Sequence, residues 1–308
     1  MTSNNTKITL DGTRGWDGST GVRFKIIDLA GGKILEVKSE NDGTYSFETL
    51  NIGGRADGQA KQAGAHIGNM TDSSTLQFNH TATSADKYYF TDTGEAGGTG
   101  IELGGRLNLV HTNGYTVLTG KDSRSPDDTT TNDIKGGTLQ LGNGGEGGMI
   151  QGNISVAENA ALVFNLSDAE YNKAISGDGS VIKDGAGYLT LSGENTYIGM
   201  ARVKEGTLTL IGRLDSRLLT LHDGTTFDRS GGIHSLNDGQ LNVHGHAAYT
   251  GNLDAQNAEL NFYVPEAMIT GKTMLTVSGI ADIGGSTVRV GIDGASSPLR
   301  LGACRTLP

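Results

Sequence analysis

A five-residue phrase recurs along the chain: glycine, a small or polar residue, leucine, a polar residue, then leucine or valine. It reads Gly187-Tyr188-Leu189-Thr190-Leu191, Gly206-Thr207-Leu208-Thr209-Leu210 and Gly239-Gln240-Leu241-Asn242-Val243. Earlier copies run from Gly105 to Leu109 and from Gly137 to Leu141, and a degenerate copy runs from Ala258 to Phe262. The alternation places leucines on one strand face and Thr, Asn or Gln on the other. One such strand cannot bury its apolar face alone, but coils repeating about every 19 residues stack into a continuous ladder. The pattern therefore predicts an all-β chain folded as a right-handed parallel β-helix, a β-solenoid. Leu189, Leu191, Leu208, Leu210, Leu241 and Val243 should point inward, with Thr190 and Thr209 toward solvent.

The pattern is uneven along the chain. Residues 1–121 hold strand-like runs without a clean period, such as Val22 to Ile27, Ile34 to Val37 and Lys87 to Phe90. They read as irregular solenoid or as a separate N-terminal β region. Residues 122–135 read as a polar, turn-rich loop, and 136–301 carry the legible repeats. The alternation persists through Val288, Val290 and Ile292, and 302–308 form an off-pattern tail. Within the repeats, Ser167-Asp168-Ala169-Glu170 has the form of a capping box. It predicts a short helix over Tyr171 to Ile175, stopped by Gly177.

Composition supports the solenoid. The chain has 308 residues, of which 49 are glycine and only 4 proline, a balance suited to many tight turns. Apolar residues make up 35% and aromatics 6%, thin for a broad globular core but enough for a narrow coil interior. The formal net charge is −10 with no run of Lys or Arg, so nucleic acid is not an expected partner. The single cysteine, Cys304, excludes an internal disulfide framework. Met1 to Thr6 is polar rather than the start of a signal peptide, and no apolar run is long enough to cross a bilayer as a helix.

Between residues 177 and 210 the repeat acquires further fixed positions. Gly177-Asp178-Gly179 and Lys183-Asp184-Gly185-Ala186-Gly187-Tyr188-Leu189-Thr190-Leu191 are followed by Ser192-Gly193-Glu194-Asn195-Thr196-Tyr197-Ile198-Gly199. Val203-Lys204-Glu205-Gly206-Thr207-Leu208 completes the run. It closely resembles the autotransporter-associated β-strand repeat of Gram-negative bacterial passenger domains. Met200-Ala201 departs from the family's Thr-rich step. Residues 271–292 resemble, more weakly, the last passenger coils ahead of the outer-membrane β-barrel. The resemblance implies export across the outer membrane and a cell-surface or extracellular setting for the intact protein. It also implies more strands and a C-terminal barrel, so the tail around Cys304 reads as a truncation or frameshift. Asn195 is expected at a coil corner, its amide bonding backbone left unpaired by the turn, with Tyr197 packed beside it.

Residue chemistry adds no site. Gly177-Asp178-Gly179-Ser180 has the wrong order for a serine-protease signature, and no base, acid or oxyanion hole accompanies Ser180, which reads as a turn serine. Gly97 to Leu103 matches one calcium-binding nonapeptide only in part, with Glu102 where aspartate is wanted. Asp122, Asp127, Asp128 and Asp133 read as a solvated loop. His244-Gly245-His246 would share one strand face as an outward polar pair, without the other ligands of a zinc site. Arg55-Ala56-Asp57 is not an integrin-binding tripeptide. Tyr88, Tyr89 and Phe90 are the densest aromatic cluster, with one or two packed inward and the rest free to stack on a sugar ring. No catalytic, cofactor-binding or metal-ligating residue is assigned, and no cofactor is expected.

By analogy with the family, the chain reads as a non-catalytic passenger fragment serving adhesion or cell association. Its expected partner is a host-cell or bacterial surface protein or glycan. The competing readings are the stalk of a secreted protease or esterase passenger and a polysaccharide-binding or polysaccharide-cleaving β-helix.

Overall fold

Parallel pairing runs through the computed structural model, with each strand beside its counterpart in the next coil. The structure describes residues 107–119, 131–265 and 271–293 throughout, with 83–85, 87 and the strands between Lys7 and Leu103. Contacts divide the chain into two units, Met1–Asn165 and Leu166–Pro308. Among the described residues there are strands, turns and bends but no helix.

The described strands of the first unit fall in three parallel sheets. One runs Lys7–Asp11, Ile34–Lys38, Ala65–Ile67, Glu102–Leu103. A second runs from Val22–Leu29 through Tyr45–Gly53, Ser74–Asn79, Leu107–Asn113 and Asn132–Ile134 to Ile154–Val156. The third includes Tyr115–Leu118, Gly137–Leu141 and Ala160–Phe164. Inward columns follow directly from register. Leu118, Leu141 and Phe164 form one, and Thr116, Leu139 and Leu162 another, all fully buried. A third column reads Phe78, His111, Ile134, Val156, with an imidazole where an aliphatic chain is expected.

The second unit is more regular. The ladder with its longer strands runs Ser180–Lys183, Ala201–Val203, Leu218–Leu221, Gln240–His244, Glu259–Val264, Thr287–Ile292. A facing ladder runs Ala169–Tyr171, Tyr188–Leu191, Thr207–Leu210, Thr225–Asp228, Ala247–Thr250, Leu275–Val277. A short ladder of Glu194–Asn195, Arg213–Leu214 and Ile233–His234 closes the corner. The predicted leucine register holds. Leu189, Leu191, Leu208, Leu210, Leu241 and Val243 are all buried, while Thr190 and Thr209 lie on the opposite face, half-buried. Full burial of each leucine contributes roughly 1.5–3 kcal/mol.

Asn195 also occupies the expected corner. It is buried, and its Nδ2 donates to Gly193 O at 2.9 Å and Arg213 O at 3.1 Å, joining two successive coils. Tyr197 is fully buried nearby in sequence, and burial pushes its phenol pKa upward.

The expected helix over 171–175 is absent. Ala169–Tyr171 and Ile175–Gly177 are strands, and Ala169, Glu170 and Tyr171 pair with Leu189, Thr190 and Leu191. The capping side chains serve the next coil instead. Asp168 Oδ1 accepts from Tyr188 N at 2.8 Å, and Glu170 Oε1 accepts from Ser192 Oγ at 2.7 Å. An isolated helix this short is unstable, and a ready-made ladder offers Tyr171 a buried place. Tertiary pairing overrides the local signal.

Candidate functional surface

Two polar columns cross the longer ladder of the second unit on the face opposite its leucines, and the first is partly covered, with Thr220 and Asn261 buried. In the first, register aligns Arg202, Thr220, Asn242, Asn261 and Arg289. Asn261 Nδ2 donates to Asn242 Oδ1 at 3.0 Å, and Asn242 Nδ2 donates to Thr220 Oγ1 at 3.3 Å. Arg289 closes the row by pairing with Glu259 at 2.5 Å. Along these coils, unlike on a leucine face, side-chain amides propagate hydrogen bonds down the axis.

The second column lies two residues further along each strand. His222 and His244 stack with ring centroids 5.0 Å apart and planes 12° apart. His244 in turn stacks on Tyr263 at 4.4 Å and 9°. The rings stand on successive coils because Leu221 pairs with Val243, and His244 with Tyr263. His244 Nδ1 lies 3.1 Å from Asp293 Oδ1. Burial pushes the His222 pKa down, and His244, Arg202 and Lys204 push it the same way, with Asp293 opposing.

The two histidines singled out in the sequence part company. Gly245 between them adopts a φ of 80°, so the chain turns after His244 rather than continuing as strand. His246 is directed elsewhere, with Nδ1 2.7 Å from Thr273 O. The expected shared face is therefore corrected: a turn separates them, and the stacking partners of His244 come from other coils.

Inside the unit, a polar network replaces part of the apolar ladder. His234 is buried, its Nε2 3.0 Å from Ser216 O and its Nδ1 3.3 Å from Tyr249 Oη. The carbonyl can only accept, so Nε2 carries the proton and Nδ1 accepts from the phenol. Burial pushes His234 down to about 4 and Tyr249 up to about 12. Arg229 donates to the His234 carbonyl and to Asp254 Oδ2, the latter at 3.0 Å. Over this network lies an open groove of about 590 Å3, lined by Ile198, Arg213, Asp215, Arg217 and Ile233 among others. Ile233 is 72% exposed and Ile198 63%.

Residues 181–210 match the passenger-associated-transport-repeat family. The match and the β-solenoid together fit an autotransporter passenger domain with repeats. No curated protein and no solved structure matches the chain. In the passenger repeat, the matched residues are those that stack coils: Leu189, Leu191, Leu208 and Leu210 in the interior, and Asn195 at the corner. Lys183, also within the match, is buried, its Nζ donating to Glu205 O at 3.2 Å and to Gly185 O. Burial pushes its pKa down, while Glu205, Asp184 and Asp168 pull it up.

Other sequence candidates of the passenger fall as follows. Ser180 opens the strand Ser180–Lys183 beside a turn, and Asp133 lies in the strand Asn132–Ile134 with Oδ2 3.3 Å from Thr131 Oγ1. Among the described residues no group of three or more His, Cys, Asp and Glu could hold a metal ion. Arg55 to Asp57, Gly97 to Gly100, Asp122, Asp127, Asp128 and the tail with Cys304 lie outside the described residues, as do the side chains of Tyr88, Tyr89, Phe90 and Glu102. The sequence reading missed Arg202, His222 and Tyr263 as members of one surface. The signal was present, since His222, His244 and Tyr263 fall at coil-like spacings.

Proposed function

We propose that this passenger region is a non-catalytic module displayed at the cell surface, mediating adhesion or cell–cell association through its outward faces. The observation that carries the reading is the division of labour within the repeat. Its recognisable residues are engaged in stacking coils, and they hold out long polar faces and an exposed Ile198–Ile233 groove. A solenoid turns a short repeat into an extended surface, which suits recognition of a large partner. That partner is a protein or glycan on a host or bacterial surface.

The test is display. Cells carrying the intact protein should aggregate or bind host cells, and Ile198→Lys with Ile233→Lys should reduce that binding without changing display. Equal binding by cells with and without the protein would sink the reading. Turnover of peptide or ester substrates by the purified chain, lost in Ser180→Ala, would replace it with an enzymatic one.

A further inference from the structure

We propose that Arg202, Lys204 and His222 form a seat for a single oxyanion, a sulfate, phosphate or carboxylate group, on the outer face of the second unit's long ladder. Two side-chain nitrogens there have unmet hydrogen bonds. Arg202 Nε and His222 Nε2 are both buried and have no hydrogen-bond partner. Buried polar nitrogens ordinarily have one, so each orphan points to a missing group.

Charge gives the sign of that group. Arg202 has no carboxylate partner among the described residues; its Nη2 contacts only the Met200 thioether, at 3.4 Å. Thr220 Oγ1 also approaches that sulfur, at 3.6 Å. A thioether is a weak acceptor, a poor match for a guanidinium. Lys204 follows Val203, the last residue of its strand, and His222 N donates to Val203 O at 3.0 Å, so Lys204 and His222 sit alongside on adjacent coils. Both Arg202 and Lys204 act on the His222 imidazole as like charges. A chain of net charge −10 thus gathers two cations around an imidazole.

The groups facing His222 define the limits of the seat. His244 covers one ring face, and Tyr263 backs His244. Lys204 is also paired with Asp184 at 2.7 Å, leaving Arg202 as the cation in excess. Asp293 is engaged with His244, and Asp223 Oδ1 accepts from His246 N at 2.6 Å. An oxyanion at the guanidinium draws Arg202 off the sulfur and accepts from its N–H edge. His222 then takes up a proton and donates from Nε2 to the same anion. Charge-assisted bonds of this kind are stronger than neutral ones. Proton uptake links the two events, so the anion binds more tightly at acid pH and raises the His222 titration midpoint.

The experiment follows the His222 imidazole by NMR in the intact chain, using sodium sulfate against sodium chloride at equal ionic strength. His222→Gln identifies the resonance. Sulfate should move the titration midpoint upward, and sulfate affinity should fall at least tenfold between pH 5 and pH 8. Arg202→Gln should abolish the midpoint change, Arg202→Lys should keep part of it, and Arg217→Gln should leave it intact. A sulfated disaccharide tested alongside separates a free ion from a group carried on a glycan, by which of the two binds more tightly. A midpoint identical in sulfate and chloride overturns the proposal in the unmodified chain, whatever the stability of the variants. So does an unchanged response in a folded Arg202→Gln protein.

Discussion

His111 in the first unit and His234 in the second solve one problem in mirror fashion. Each stands in an inward column, fully buried or nearly so, where the repeat calls for an aliphatic side chain. Each meets one backbone carbonyl and one hydroxyl. His111 places Nδ1 2.8 Å from Gly136 O and Nε2 3.0 Å from Thr116 Oγ1. His234 reverses the nitrogens, with Nε2 toward Ser216 O and Nδ1 toward Tyr249 Oη. Because a carbonyl only accepts, the two rings are opposite tautomers. Burial pushes both down to about 4. The surroundings differ: Arg229 and Asp254 act on His234 with opposing signs, whereas His111 is shifted by burial against its carbonyl bond. A solenoid interior thus accepts an imidazole if it stays neutral and both ring nitrogens are engaged.

Acid is the strongest way to break that likeness. Above pH 6.5 folded and unfolded histidines are both neutral, and the stability is fully present. As pH falls from about 6.5 toward 4, the unfolded ring takes up a proton that the buried ring refuses. Each site should lose about 3 kcal/mol across that window, and below it the loss stops growing. Urea unfolding at pH 7 and pH 4.5 should show both units weakened; a pH-independent midpoint would falsify the neutral-imidazole account.

An apolar rung gives the next largest effect and calibrates the polar ones. Leu208→Ala should cost about 2–5 kcal/mol with no pH dependence, since it removes packing alone. Asn195→Ala should cost about 1–3 kcal/mol by removing the buried amide's bonds to the carbonyls of Gly193 and Arg213. Unchanged melting of that variant would remove Asn195 from its corner role. Tyr249→Phe and Thr116→Val sharpen the histidine comparison, because each deletes the hydroxyl beside one ring. Each should cost about 1 kcal/mol, with the loss confined to its own unit by hydrogen exchange. Thr209→Val, on the outward face, should stay within about 0.5 kcal/mol of the parent.

The sequence was legible where one residue type meets its own kind across coils. Leu189 pairs with Leu208, and Leu191 with Leu210, so alternation alone fixes their burial. Asn195 was legible because a corner amide has one evident use, capping open carbonyls. The 167–175 stretch misled because Ser167 and Glu170 carry a local helix signal, and only the Tyr188–Leu191 strand beside them reveals the competing partner. His234 was hidden for a related reason. Its column reads Asn195, Leu214, His234, which has no repeating chemistry, and its partner Tyr249 lies in another strand. Arg202 and His222 become a surface only once register sets Arg202 beside Thr220.

Register itself has a kinetic consequence. Leu189 and Leu208 are 19 residues apart, as are Leu241 and Leu260. Each new coil therefore closes a loop of about the same length, at a nearly constant entropic cost that rises only logarithmically with size. The step from Leu260 to Val288 is longer, at 28 residues. By that logarithmic rule the added penalty is only about 0.3 kcal/mol. Growth of the second unit can then proceed coil by coil on a template already formed, with no single long-range encounter to await. An insertion at a turn should barely slow such growth, whereas one extra residue inside a strand would present the wrong face to every coil that follows.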